Sequence, residues 1–147
     1  MPVLIYHDAD SPCMAALTDE MINAMKSMMP ISFATASKDG VPNVVPVGMI
    51  FVADDGCIWL VDNYLCKTLE NLKENPRAAF YIWNRESKES WQVKGDVTIE
   101  TSGLDYEKAV AFAHSKKETF PAKSLVKMKV TDVYYVTPGD HAGKRLD

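Results

Sequence analysis

The chain has 147 residues, 47% of them apolar, and a formal net charge of −4. That length suits one domain, residues 1–147, with a core of its own, and the composition excludes a disordered chain. The acidic balance argues against a nucleic-acid binder, which needs a basic face to neutralise phosphates.

No apolar run approaches the roughly 20 residues of a membrane span. The start, Met1 to Asp8, lacks the basic residues and long apolar region of a signal peptide. The expectation is a cytoplasmic protein that makes no membrane contact. The three cysteines, Cys13, Cys57 and Cys66, have no CxxC or zinc spacing and read as free thiols in packing roles. His7, His114 and His141 are scattered, so no metal site is expected. Nor do the Ser and Thr residues form a nucleophile elbow.

In chain order, residues 1–30 read as a polar arm followed by a helix. Leu17, Met21, Ala24, Met25 and Met28 make one apolar stripe. Thr18 caps this helix, Asp19 and Glu20 suit its positive end, and Pro30 stops it. Residues 31–36 alternate as a strand, Lys38-Asp39-Gly40 is a turn, and 41–52 reads as one long central strand. Asp54-Asp55-Gly56 is a second hairpin turn, leading to a strand over 57–61.

After the loop 62–66, a short helix over 67–74 places Leu69 and Leu72 on one side and ends at Asn75-Pro76. Residues 78–83 are almost continuously apolar and read as a strand covered on both faces. Residues 91–100 alternate, with Trp91, Val93, Gly95, Val97 and Ile99 facing one way. A third helix follows Ser102-Gly103 and presents Tyr106, Ala109, Val110 and Ala113. The last strand spans 124–136, and 138–147 is a polar tail. Six strands with helices inserted singly predict a mainly β, α+β or barrel domain. The βαβ rhythm and GxGxxG turn of a dinucleotide fold are absent.

Three segments could carry chemistry. At Lys67-Thr68 a helix begins after a loop. Its unpaired N–H groups, a lysine ammonium and a threonine hydroxyl would make a compact phosphate receptor. Equally, Thr68 could be a plain cap and Lys67 a solvated charge. The segment Pro46-Val47-Gly48-Met49 places Pro and Gly inside a strand. Either a flat ligand lies against the backbone there, or the strand bulges at a barrel bend. Trp91-Gln92 could meet a flat cofactor or a partner chain, or Trp91 could be core. No side chain stands out as an acid, base or nucleophile, so catalytic residues stay unassigned.

Taken in order, these segments resemble the pyridoxamine 5'-phosphate oxidase-like, FMN-binding split-barrel family. The resemblance runs over about residues 15–137, through the hairpin 34–43, the strand Val45-Pro46-Val47-Gly48, the run 67–76 and Trp91-Gln92-Val93-Lys94-Gly95. It implies a six-stranded antiparallel split β-barrel over 31–137 with a few flanking helices, acting as a homodimer with FMN at the subunit interface. Lys67 and Thr68 would hold the phosphate, with Asn71 nearby. The ring would lie along Pro46, Val47, Gly48 and Met49, with the loop Asp62-Asn63-Tyr64 near the ring or ribityl chain. The partner would contribute near Trp91 and Gln92.

The chain lacks the basic and aromatic cluster that would grip a second phosphorylated substrate, and Lys144-Arg145 is a weak echo of it. The expected activity is therefore that of an FMN-dependent oxidoreductase acting on another small molecule. The alternatives are a non-catalytic FMN-binding or electron-carrier protein, and the same barrel binding a deazaflavin or haem.

Overall fold

The protein is described by a computed structural model covering residues 17–146. The N-terminal arm, with His7 and Cys13, lies outside the described residues.

The helix α1 (Asp19–Ser27) opens with a capping interaction in which the Met21 N–H donates to the Thr18 hydroxyl at 3.2 Å. Its stripe of Met21, Ala24 and Met25 is buried. The strands are β1 (Ile31–Ala36), β2 (Pro42–Val47), β3 (Ile50–Val52), β4 (Ile58–Asp62), β5 (Arg77–Trp83), β6 (Ser90–Glu100) and β7 (Ser124–Tyr135). The helix α2 (Lys67–Glu74) lies between β4 and β5, and α3 (Leu104–Lys116) between β6 and β7. No helix among the described residues is long and apolar enough to cross a membrane.

All strand pairs are antiparallel, in one sheet of order β2-β1-β5-β6-β7-β4-β3. The two edge strands, β2 and β3, are consecutive in the chain and separated only by Gly48 and Met49. Two residues cannot span a flat seven-stranded sheet. The sheet therefore curls until its edges meet at that corner, and the fold is a split barrel. The Val61 N–H fastens the corner by donating to the Met49 carbonyl at 3.0 Å.

Phe33 and Phe80 stack inside the barrel with centroids 6.5 Å apart. Ile82, Val93, Met128 and Leu72 surround them, and α1 closes one end with Leu17, Met21 and Met25. Each such side chain contributes about 1.5–3 kcal/mol on burial. A second cluster packs α3 through Ala109 and Ala113 onto Trp59, Val61 and Leu125. Lys127, between Asp105 of α3 and Glu100 of β6, ties that helix down. Burial depresses the Lys127 pKa, but its hydrogen bonds to Asp105 and Glu100 outweigh this and leave it above the ordinary lysine value.

The structure corrects several expectations. The single strand expected over 41–52 is two, so the sheet has seven strands rather than six. Neither half is central. Among the described residues β2 pairs only with β1, and an edge strand tolerates the missing donors of Pro42 and Pro46 because one side of it has no ladder to complete. β5 is covered on one face only, leaving Tyr81 47% and Trp83 40% exposed, whereas β4 is the strand buried throughout. The apolar run misled because half of it lies on an uncovered outer sheet face.

The polar tail does not extend away. Its Leu146 N–H donates to the Val133 carbonyl at 2.8 Å, and Arg145 pairs with Asp132 at 2.8 Å, so it doubles back along β7. Cys57 is not a free thiol but disulfide-bonded, while Cys66 is free and exposed.

Gly95 is required by close approach. The register between β6 and β7 slips at Lys94/Gly95, and a Cβ there would overlap the Lys129 carbonyl oxygen and the Met128 side chain. Gly95→Ala is expected to cost on the order of 1–3 kcal/mol of stability, through overpacking against backbone that cannot retreat. Urea denaturation of the two proteins measures this.

Candidate functional site

The corner that closes the barrel also opens a cavity. It has a volume of about 690 Å³, within the range of small-molecule sites. One wall is the end of β2 with the corner itself: Val45, Pro46, Val47, Gly48 and Met49. Leu60 and Val61 of β4 lie behind, and Phe120, from the connection between α3 and β7, forms part of the lining. The start of α2 closes the polar end with Cys66, Lys67 and Thr68, and Asn43 lies beside it.

Gly48 leaves room at this wall, since a Cβ there would meet no heavy atom within 4 Å. Its conformation is one that any residue can adopt, so the glycine opens space rather than relieving the backbone.

At the polar end, Cys66 occupies the cap position of α2 without making a side-chain cap. The first-turn N–H groups are thereby left for another acceptor, and the helix end carries partial positive charge. Among the described residues no carboxylate lies within ion-pair distance of Lys67.

Thr68 is 1% exposed and its hydroxyl is oriented by a short chain of bonds. Asn43 Nδ2 donates to Thr68 Oγ1 at 3.0 Å and to Thr35 Oγ1 at 3.2 Å, and Asn71 Nδ2 donates to Thr35 Oγ1 at 3.0 Å. Thr68 accepts in this chain, so its own proton remains available to a ligand.

The loop between β4 and α2 is held from below. Asp62 is fully buried, and its carboxylate accepts from the Leu65 N–H at 3.0 Å and from Ser124 Oγ at 2.9 Å. Lys123 lies 3.6 Å from the same carboxylate, and its Nζ donates to the Leu65 carbonyl at 3.3 Å. This loop and the connection bearing Phe120 are thus stitched together.

Of the residues singled out in the sequence, Pro46, Val47, Gly48, Met49, Asn63, Tyr64, Lys67 and Thr68 line this one cavity. The other four do not. Asp62 turns inward as the clamp just described. Asn71 acts one step removed, through Thr35. Trp91 is 4% exposed in the barrel core, and Gln92 sits on the outer face opposite Tyr81 and Tyr134.

Asn43, Cys66 and Phe120 were not anticipated as site residues. Asn43 was within reach, because counting back across the Lys38-Asp39-Gly40 turn pairs it with Thr35. Phe120 had no local signal, since it arrives from a connection more than forty residues downstream of α2.

The family model for pyridoxamine 5'-phosphate oxidase matches residues 17–137. The chain belongs to the pyridoxamine 5'-phosphate oxidase family. It is 35% identical over 132 residues, 88% of this chain and 87% of the other, to an uncharacterised protein of Methanocaldococcus jannaschii.

Among solved structures, HupZ of Group A Streptococcus aligns with a TM-score of 0.73 at 24% identity, covering 86% of this chain and 99% of that one. An FMN-binding protein of Syntrophomonas wolfei aligns with a TM-score of 0.67 at 17% identity, covering 82% and 89%. HutZ, a haem storage protein of Vibrio cholerae, and an F420 reductase share the fold at TM-scores of 0.61 and 0.57. At these identities the structures establish the split barrel alone. Proteins that share this fold are thus named for FMN, haem and F420, and the choice for this chain rests on its own cavity.

Asp62→Ala would strand the Leu65 N–H and the Ser124 hydroxyl and release Lys123. The expected loss is on the order of 2–4 kcal/mol, read as a lower midpoint in urea. Ser124→Ala removes one donor and should cost less than Asp62→Ala.

Proposed function

We propose that this protein binds one FMN per chain in the corner cavity, as a homodimer, and acts as an oxidoreductase on a small molecule. The observation that carries the reading is the polarity of the cavity. A flat, mostly apolar wall along Pro46-Val47-Gly48-Met49 leads to one cationic, donor-rich end at Lys67 and Thr68. FMN has that distribution, with a planar ring at one end and a phosphate dianion at the other. A bound flavin supplies hydride or electron transfer through its N5 position.

In this reading Lys67 and the first turn of α2 hold the phosphate, and Thr68 donates its oriented hydroxyl. Gly48 admits the ring plane, while Leu60, Val61 and Phe120 exclude water from it. No residue lining the cavity is assigned as a proton donor or base.

Exposed apolar and aromatic side chains among the described residues support the dimer reading. Val44, Tyr81 and Trp83 are exposed on the outer side of β2 and β5, with Gln92 adjacent on β6. A second copy would cover this face and bring its Trp91-Gln92 strand toward the neighbouring cavity.

A haem is disfavoured by the donors present. Among the described residues no histidine lines the cavity, and Met49 and Cys66 alone offer sulfur. A deazaflavin would fit the same apolar wall, and its absorption distinguishes it.

The deciding experiment is the visible spectrum of the purified protein and of its heat-released cofactor, with the mass in solution. A flavin spectrum at one equivalent per chain, FMN in the supernatant and a dimer mass are expected. A colourless protein that takes up no added FMN would overturn the reading, and a Soret band would replace it with haem. Turnover with NADH or NADPH and an electron acceptor separates an enzyme from a carrier.

Two variants test the placement. Lys67→Ala should weaken FMN binding about tenfold or more, through loss of a charge-assisted hydrogen bond, with little change in stability. Gly48→Val should fold, because the backbone there accepts a side chain, yet lose flavin by filling the slot. Fluorescence titration of FMN reads both.

A further inference from the structure

Asn63 occupies an unusual place on the cavity wall, because its two polar atoms face different kinds of partner. The Ala122 backbone N–H donates to Asn63 Oδ1 at 3.0 Å. A backbone N–H can only donate, so the oxygen of this amide must face Ala122 and the NH2 group must point the other way. That NH2 group lies 3.7 Å from Met49 Sδ, a weak thioether acceptor, and both Asn63 and Met49 line the cavity.

Ala122 cannot readily release the bond. Its φ is +41°, in the left-handed region that L residues avoid, and its carbonyl accepts from Tyr106 Oη at 2.8 Å. The next residue is pinned as well, the Lys123 N–H donating to the Asp62 carbonyl at 2.8 Å. The surrounding fold thus fixes the orientation of the Asn63 amide before any ligand arrives.

We infer that Asn63 is a specificity-determining residue whose NH2 group recognises a hydrogen-bond acceptor, a carbonyl oxygen or unprotonated ring nitrogen, on the ligand beside Met49. This rests on the flavin reading above. It adds that the ligand edge reaching this wall is an acceptor, and that a ligand presenting an N–H there is rejected. A donor held only by a thioether gains most from a true acceptor, and a ligand N–H would leave two donors facing each other.

Asn63→Asp separates this role from a structural one. The carboxylate can still accept from the Ala122 N–H, but it has no proton to give to the ligand. FMN and riboflavin are titrated into wild type and variant, with Tm measured in parallel. The expected result is a Tm close to wild type and Kd values for both flavins raised by a similar factor, about tenfold. Equal loss for both matters, because simple repulsion by the new charge would act on the FMN dianion and spare riboflavin. Unchanged affinities, or a loss confined to FMN, would overturn the inference.

A second measurement needs no variant. The side-chain amide protons of Asn63, followed by NMR in nitrogen-labelled wild type, should move downfield on saturation with FMN, and their failure to move would equally overturn it. If the wild type bound neither flavin, the flavin reading itself would fall, which these titrations report separately.

Discussion

Two residues, Gly48 and Met49, join strands that sit at opposite edges of a seven-stranded sheet. The chain can span only a few ångströms with so short a connection, so the sheet has to roll up until its edges meet. The interior that results is filled by Phe33, Phe80, Ile82 and Val93, and α1 seals one end of it. The same constraint produces the cavity, because the ends of β2 and β4 and the start of α2 converge at the corner where the barrel closes.

The walls of the cavity are built on different principles. The apolar side is a strand edge, rigid because β2 is paired to β1 along its whole length. The polar side is a helix start left without a side-chain cap, and its one buried hydroxyl is aimed by a relay of two asparagines and a threonine. A third side is a connection held in a left-handed turn at Ala122 by bonds to Tyr106 and Asn63. The asparagines in this scheme place other groups rather than filling space: Asn43 and Asn71 donate to the threonine hydroxyls, and Asn63 accepts from the Ala122 N–H. That order suits a site required to hold a rigid, flat molecule, since little conformational freedom remains to be lost on binding.

The outer face of the sheet follows a different logic. Tyr81, Trp83 and Val44 stand exposed on strands whose inner positions are packed. Tyr81 and Trp83 flank the strand that carries Gln92, and this is the face that the proposed homodimer would cover. Trp91, one residue away, points inward and belongs to the barrel. Adjacent residues on a strand thus serve the core and the surface separately, as the alternation of strand side chains dictates.

The amino-acid sequence by itself determined the local elements. Alternation along β6, the stripe and cap of α1 and the bounds of α2 were all legible, because each depends on neighbours within a few residues. The pairing of Lys67 with Thr68 at a helix start was legible for the same reason. Tertiary structure alone decided what depends on distant pairing. The break at Gly48-Met49 splits an apparent single strand because its halves hydrogen-bond to different partners. The apolar run of β5 could not reveal that only one of its faces is covered. Asp62 read as a ligand contact, but Ser124 and Lys123, about sixty residues later, turn it inward. Phe120 and Ala122 enter the site by the same long-range closure. The orientation of Asn63, on which the polarity of the wall depends, was set by a backbone N–H that no local pattern could have placed beside it.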